Sequence, residues 1–446
     1  MNFTNFPDQS LIADFHMHSK YARACSKDLD IKNIETYAKL KGLSIVGTGD
    51  FTHPKWIEEL KRDLTPNTTG KTGIYETKTG FPFIYQTEIS LVYSQGGKGR
   101  RVHLIVLAPS HEVAVQITDQ LKKHGRVDYD GRPIFGMSCI SFVEEMIQIS
   151  KEIEIIPAHA WTPWFALFGS NSGFDSIKDC FQDQLKHIHA IETGLSSDPP
   201  MNWRLSQLDN INLVSFSDSH SYWPWRMGRE ATVFSLQKEI LSYIQLIKAI
   251  RTGEQLWGTI EVNPNLGKYH ATGHRNCKVC LSPADALKVN NICPQCRSKL
   301  TVGVDQRIEA LADPDRPLGF KPKNAKEFAS LIPLSELIAS LFGKAVASKG
   351  VFAEYHKLIK AFGSEFNILL SASKPELESY TTPQLADVIL LNREGKIEVK
   401  PGYDGVYGVP LVPGGKGCVS SEEELDVKKK IPRTQRDAKQ KGLDDF

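Results

Sequence analysis

Several apolar runs in this chain stop at, or carry, a residue that could hold a metal ion. Asp14-Phe15-His16-Met17-His18, Gly49-Asp50-Phe51-Thr52-His53, Pro157-Ala158-His159 and Ser217-Asp218-Ser219-His220 each close such a run. Glu88, His103 and Glu192 lie within or at the end of three others. In an extended chain alternate residues share a face, so His16 and His18 point the same way. A lone histidine at such a place is usually structural, but chance would scatter so many imidazoles and acids over loops and helices. Gathered in one cleft, they would repel or desolvate one another unless cations neutralised them. Two or three divalent ions (zinc, manganese or magnesium) meet that need. Ions spaced about 3.5–4 Å apart activate water near neutral pH and clamp a phosphoryl group as charge builds on it.

A second set of ligands is made of sulfur. Cys277-Lys278-Val279-Cys280 and Cys293-Pro294-Gln295-Cys296 form a CxxC–x12–CxxC pattern, which fits a closed, structural four-thiolate zinc site. His270 and His274 just upstream read as polar surface. Lys268, Arg275, Lys278, Arg297 and Lys299 flank the cysteines and suit a nucleic-acid partner. Cys25, Cys139, Cys180 and Cys418 are scattered and read as ordinary thiols. Trp161, Trp164, Trp223 and Trp225 follow the histidine motifs closely. Each is either packing at the rim of the fold or a platform on which an extruded base stacks.

The elements that must position these residues follow from periodicity. Strand candidates are Ile12–His16, Leu43–Thr48, Phe83–Val92, Val102–Ala108, Ile153–Ala158, Ile188–Glu192, Leu213–Ser217 and Ala231–Leu236. Helical spacing is clearest in Ile34–Lys41 and Phe142–Lys151. The alternation predicts an α/β fold, a TIM-like barrel of parallel units whose strand ends converge on one face; an open doubly wound sheet is the alternative. The expected division is a barrel over 1–262, a zinc module over 263–305, a helical subdomain over 306–375, and a Gly, Pro and charge-rich region with a mobile tail over 376–446. With 446 residues, 41% hydrophobic and 24% charged, the chain has the composition of a multidomain soluble protein. Its net charge of +2 confines any DNA-binding surface to a local patch. No stretch reads as a membrane span or signal peptide, so a cytoplasmic, nucleoid-associated protein is expected.

The motifs over roughly residues 10–260 resemble those of the PHP (polymerase and histidinol phosphatase) superfamily. That resemblance implies a distorted (β/α)7 barrel with up to three metal ions that hydrolyses phosphoesters. Carried over by motif, His16, His18, Glu88 and Asp218 hold one ion, and Glu88, His103 and His159 a second. His220 helps hold a third, Asp50 adds a ligand, and Asp218, His220 and Glu192 serve catalysis. Glu192 is left open as a ligand, a general base or an acid that holds a histidine. The chain departs from the superfamily at Asp50-Phe51, where an Asp-His pair is usual, and in lacking a histidine within Tyr21–Ser26.

Barrel, four-cysteine module and helical region in that order are similar to the endonuclease Q family, as are Gly47–Pro54 and Lys400–Gly408. This implies a DNA repair endonuclease that cuts 5′ of deaminated bases (uracil, hypoxanthine, xanthine) and abasic sites, with the lesion flipped out. Gln440, Leu443 and Phe446 fit a short sliding-clamp-binding pattern in the tail. The competing readings are a phosphatase of a small substrate such as histidinol phosphate, and a non-catalytic DNA- or clamp-binding scaffold.

Overall fold

The structure, a computed structural model, describes residues 10–67, 72–237 and 241–415. The clamp-binding candidates Gln440, Leu443 and Phe446, and Cys418, lie outside them. All eight strand candidates are strands, and both helix candidates are helices, within a few residues of the expected ends. The helix Ile31–Lys41 shows why: the Asp30 side chain caps its first turn by accepting from Asn33 N, Gly42 ends it in the left-handed region, and Ile31, Ile34 and Ala38 are buried on one face.

The arrangement of the strands differs from a parallel barrel. The main sheet has eleven strands and is mixed. Leu11–Asp14 pairs in parallel with Ile45–Gly47, which pairs in parallel with Pro82–Gln95. Lys98–Ala108 then returns antiparallel along Pro82–Gln95, and Glu154–Pro157 runs antiparallel to it. The cause is the turn Gly96-Gly97, whose φ angles of 62° and 73° only glycine adopts freely and which close a two-residue hairpin between Gln95 and Lys98. Ala231–Phe234 lies antiparallel to Leu11–Asp14 and to Leu256–Glu261. Ala190–Glu192 and Asn212–Val214 form a separate parallel pair. A few hydrogen bonds stitch that pair to its neighbours: Ala160 N–H donates to Glu192 O at 3.0 Å, and Thr232 Oγ1 donates to Ser215 O and accepts from Ser215 N, both at 3.0 Å.

The boundaries beyond the sheet also shift. Glu327–Ser330, expected in the helical subdomain, adds a parallel strand beside Leu256–Glu261. Phe328 therefore lies in a sheet strand, paired with Thr259. The helices that follow, Leu334–Phe342, Lys349–Phe362, Lys374–Glu378 and Pro383–Arg393, continue past the expected limit at 375. They bury Leu337, Ile338, Tyr355, Leu358, Leu385 and Ile389. The Gly- and Pro-rich stretch up to 415 is folded as well. Glu398–Lys400 pairs with Val409–Leu411, and the loop between them lies on the cysteine module through Ala271 N to Gly402 O (2.9 Å) and Gly405 N to Lys268 O (2.8 Å).

Candidate metal centre and the cleft above it

The strand ends bring the expected ligands together. Glu88, fully buried in Pro82–Gln95, faces two ways. One of its carboxylate oxygens lies 3.5 Å from His16 Nε2 and 3.2 Å from His18 Nε2. Its other oxygen lies 2.7 Å from His103 Nδ1 and 3.2 Å from His159 Nε2. Asp218 Oδ1 completes the first set, 3.5 Å from His16 Nε2 and 3.3 Å from His18 Nε2. Within each set, His16–His18–Glu88–Asp218 and Glu88–His103–His159, one ligand atom per residue lies within 4.8 Å of all the others. His103 reaches the site from the middle of an antiparallel strand, because it faces Ser90 across the ladder and so shares Glu88's face.

These residues fit divalent cations on their own chemistry. His16 Nε2, His18 Nε2 and Asp218 Oδ1 are buried without a hydrogen-bond partner, an expense that a bound ion removes. Burial disfavours charge on His16, but Glu192, Glu88 and Asp218 hold its pKa well above the ordinary value. Burial likewise opposes charge on His18, and Asp50 and Asp218 overcome it. Burial alone would protonate Glu88 and Asp218, yet Arg132 and His16 keep Glu88 ionised, as His16 and His220 keep Asp218. Burial pushes His103 down to about 3, leaving a neutral imidazole with a lone pair to give.

The other expected site residues stand around the cluster. Asp50, expected as a ligand, lies behind His18: its Oδ1 is 2.9 Å from His18 Nδ1, and its Oδ2 accepts from Ser19 N at 2.5 Å and Ser19 Oγ at 2.7 Å. Those bonds use up its oxygens and fix the imidazole's tautomer and aim. Glu192 does the same for His16, 2.9 Å from its Nδ1, and also accepts from the His159 N–H at 2.5 Å. That is the histidine-holding alternative among its three expected roles, not a ligand's. His220 stands beside the first set, its ring 4.5 Å from that of His18, and burial with His18 nearby lowers its pKa to about 4. It lies outside both ligand sets. His53 stacks on Tyr21 with ring centres 4.4 Å apart.

The backbone marks the same places. Asp50, His159 and Asp218 have φ of 40°, 29° and 47°, a region that costs a non-glycine residue roughly 1–3 kcal/mol. Three such residues at three strand ends turn their side chains toward one centre. Gly194 makes room for this, since a Cβ there would lie 2.8 Å from His159 Cα.

Two residues had no role expected from the sequence, although Asp14 stands in the motif Asp14-Phe15-His16-Met17-His18. Arg132, from a surface loop, donates to Glu88 Oε2 at 3.0 Å. Asp14 takes hydrogen bonds from Ser217 N (3.0 Å), Ser217 Oγ (2.5 Å) and Gly228 N (3.0 Å), tying the first strand to the loop that carries Asp218. Burial raises its pKa to about 6.

The tryptophans divide. Trp161 is 1% exposed, stacks on Phe168 and donates to Asn202 Oδ1 at 2.7 Å, so it is core and not a base platform. Trp223 and Trp225 stack on each other at 5.3 Å and both meet Phe352, filling the joint between sheet and helices. Trp164 alone is 37% exposed; it meets Tyr269 edge-on and lines the cleft above the metal centre. That cleft, about 1070 Å³, is walled by the sheet on one side and by the cysteine module with the 402–408 loop on the other.

In the module the converging ligand atoms are those of His274, Cys277, Cys293 and Cys296. The expected four-cysteine module is present, and His274, expected as polar surface, stands with three of its cysteines. Cys280 pairs with Gly273 in a hairpin, and its strand neighbour Val279 packs inward with Ala286, Cys293 and Leu300. Alternation along the strand then turns Cys280 outward. His274 Nδ1 lies 3.3 Å from Cys296 Sγ. One histidine and three thiolates remain a standard structural zinc set.

Comparison with known proteins agrees with this geometry. The family model "MJ0043 C-terminal domain" matches residues 333–396, the helical region. The uncharacterized protein MJ0043 of Methanocaldococcus jannaschii is 35% identical over 255 residues, 56% of this chain; the match spans only 31% of that longer relative. Among solved structures, the lesion-specific endonuclease Q of Pyrococcus furiosus is 30% identical with a TM-score of 0.79, over 94% of this chain and 99% of that one. An endonuclease Q in complex with a 27-mer duplex carrying an abasic lesion at its active site is 31% identical with a TM-score of 0.80, over 93% of this chain and 97% of that one.

A carboxylate shared between two ligand sets suits a two-metal hydrolase, and the two solved relatives make that class a metal-dependent DNA endonuclease. With nearly the whole length of both solved structures covered, this chain belongs to the endonuclease Q family.

Proposed function

We propose that this protein is a DNA repair endonuclease that hydrolyses the phosphodiester 5′ of deaminated bases (uracil, hypoxanthine, xanthine) and abasic sites. The observation that carries the proposal is the two-faced Glu88, with the orphaned atoms of His16, His18 and Asp218, at the floor of a cleft walled by cations and aromatics. A duplex bound by a family member with its lesion at the active site supports the same reading.

His16, His18, Glu88 and Asp218 would hold one divalent cation, and Glu88, His103 and His159 another. Bound there, such ions supply an activated water and neutralise charge that develops on the phosphoryl group. Asp50 and Glu192 keep the two imidazoles aimed. Hydrolysis forms a P–O bond to water and breaks the bond to the upstream 3′ oxygen, which takes a proton, leaving 3′-hydroxyl and 5′-phosphate ends. Trp164 and Tyr269 offer aromatic faces to an extruded nucleotide. Deaminated and abasic positions cost less to unstack than intact pairs, which favours them as substrates.

The test is a labelled duplex carrying one uracil, hypoxanthine or abasic site, incubated with the metal-loaded protein with and without chelator. Chelator-sensitive cuts 5′ of the lesion are expected, with the undamaged duplex intact. Turnover of p-nitrophenyl phosphate with every lesion duplex left whole would overturn the proposal in favour of a small-substrate phosphatase.

A further inference from the structure

One group of charges in the cleft has no role in the metal centre. Arg226, Arg229 and Lys268 line the cleft together with Tyr407 from the C-terminal loop. The Arg226 guanidinium lies 4.9 Å from the centre of the Tyr407 ring, and Lys268 Nζ lies 6.0 Å from it. Arg229 is only 8% exposed. Its Nε and Nη2 donate to Ser217 O at 3.3 and 3.1 Å. Ser217 immediately precedes Asp218, so this charge sits next to the metal centre. Among the described residues none of the three cations forms an ion pair; Glu336 and Glu230 feel them only from farther away. Burial favours a neutral Tyr407 phenol, yet Arg226, Arg229 and Lys268 together lower its pKa from the ordinary 10.0, which registers a strongly positive potential.

A buried guanidinium with no ion-pair partner is costly. We infer that Arg226, Arg229, Lys268 and Tyr407 form a phosphate subsite that holds a backbone phosphate of the bound strand next to the one that is cut. The planar donors of the arginines match phosphate oxygens, and the Ser217 carbonyl holds the Arg229 fork in place. Such a contact fixes the register of the strand and carries no base information, so it serves every lesion alike. That the phosphate belongs to DNA rests on the function proposed above; that the pocket binds phosphate does not.

The chelated protein is titrated with inorganic phosphate by calorimetry, comparing wild type with Arg226→Met and Lys268→Met. Both side chains are half-buried, and the variants are checked for native melting, whereas removing the buried Arg229 threatens the fold. Saturable binding weakened at least about tenfold in each variant is expected from loss of a charge-assisted contact. Equal binding in a natively melting variant overturns the subsite. A scan of lesion duplexes with one neutral methylphosphonate at each flanking position then locates the phosphate. Wild type should lose cleavage sharply at one position besides the scissile one, and Arg226→Met should lose that dependence. An identical scan in wild type and variant overturns the inference. A product duplex with and without its 5′-phosphate separates an internal phosphate from the newly made end. If phosphate binding responds to the variants while no lesion duplex is cut, the proposed function fails and the subsite stands.

Discussion

Glu88 is the residue on which both ligand sets meet, while Asp50 and Glu192 act one bond farther out, through His18 and His16. The two positions should fail differently. Glu88→Gln is expected to abolish cleavage and to strip the ions of the two ligand sets, leaving the module's single ion in elemental analysis. Asp50→Asn keeps the shape but loses an ionised acceptor; metal affinity should fall about 10–100-fold, as for other groups behind a ligand, and excess metal should restore much of the rate. If Asp50→Asn were as dead as Glu88→Gln at saturating metal, the assignment of Asp50 as a positioning residue would be wrong. The sequence made the ligand types visible at this scale. It did not separate a carboxylate that faces the ion from one that faces a ligand's back, because that depends on which strand lies alongside.

At the scale of elements, two pieces are set by neighbours distant in the chain. In the cysteine module, a strand's alternation turns Cys280 out and the hairpin brings His274 in. His274→Ala should lower zinc retention and the melting temperature, whereas Cys280→Ser should leave both near wild type; the reverse result would restore a four-thiolate site. Where the first helix meets the helical region, Lys41 and Glu365 form a 2.7 Å ion pair at 1% and 0% side-chain exposure. Glu365 also accepts from Tyr355 Oη and Leu334 N, and Lys41 donates to Pro224 O at 2.9 Å. Lys41→Met strands a buried carboxylate, so urea unfolding should show a loss of about 3–5 kcal/mol. A loss below about 1 kcal/mol, the range of an exposed pair, would show that the joint is not sealed.

The whole molecule responds to pH through the metal centre. In metal-free protein the raised pKa values of His16 and His18 stabilise the fold fully below their ordinary 6.5, and that contribution is lost as pH rises through the folded values. The lowered value of Glu88 acts the other way: its contribution is present above its ordinary 4.5 and lost as pH falls through the folded value. Chelated protein should therefore weaken as pH rises through the folded values of His16 and His18, while below about pH 6.5 the depressed His103 and His220, neutral when folded and protonated on unfolding, cost stability as pH falls. Metal-loaded protein should not show the alkaline loss, because ions replace the protons on those imidazoles. Melting curves across pH, with and without chelator, check this; parallel profiles would contradict it. Among the described residues no helix is long and apolar enough to cross a membrane.

The sequence by itself determined the local elements and the inventory of the centre. Period-two and helical patterns and strand-end histidines are properties of a few adjacent residues, and they appear where they were read. Even the antiparallel return after Gln95 was written in Gly96-Gly97, although alternation of strands and helices suggested parallel units. Only the tertiary structure decided which acids join the two ligand sets and which lie behind histidines, that Trp161 is core, and that His274 stands beside the cysteines. It alone joined Arg132 to Glu88 and brought Tyr407 from the C-terminal loop to Arg226 and Arg229. Contacts between residues far apart in the chain are fixed by packing of whole elements against one another, and that packing leaves no periodic trace in the residues it brings together.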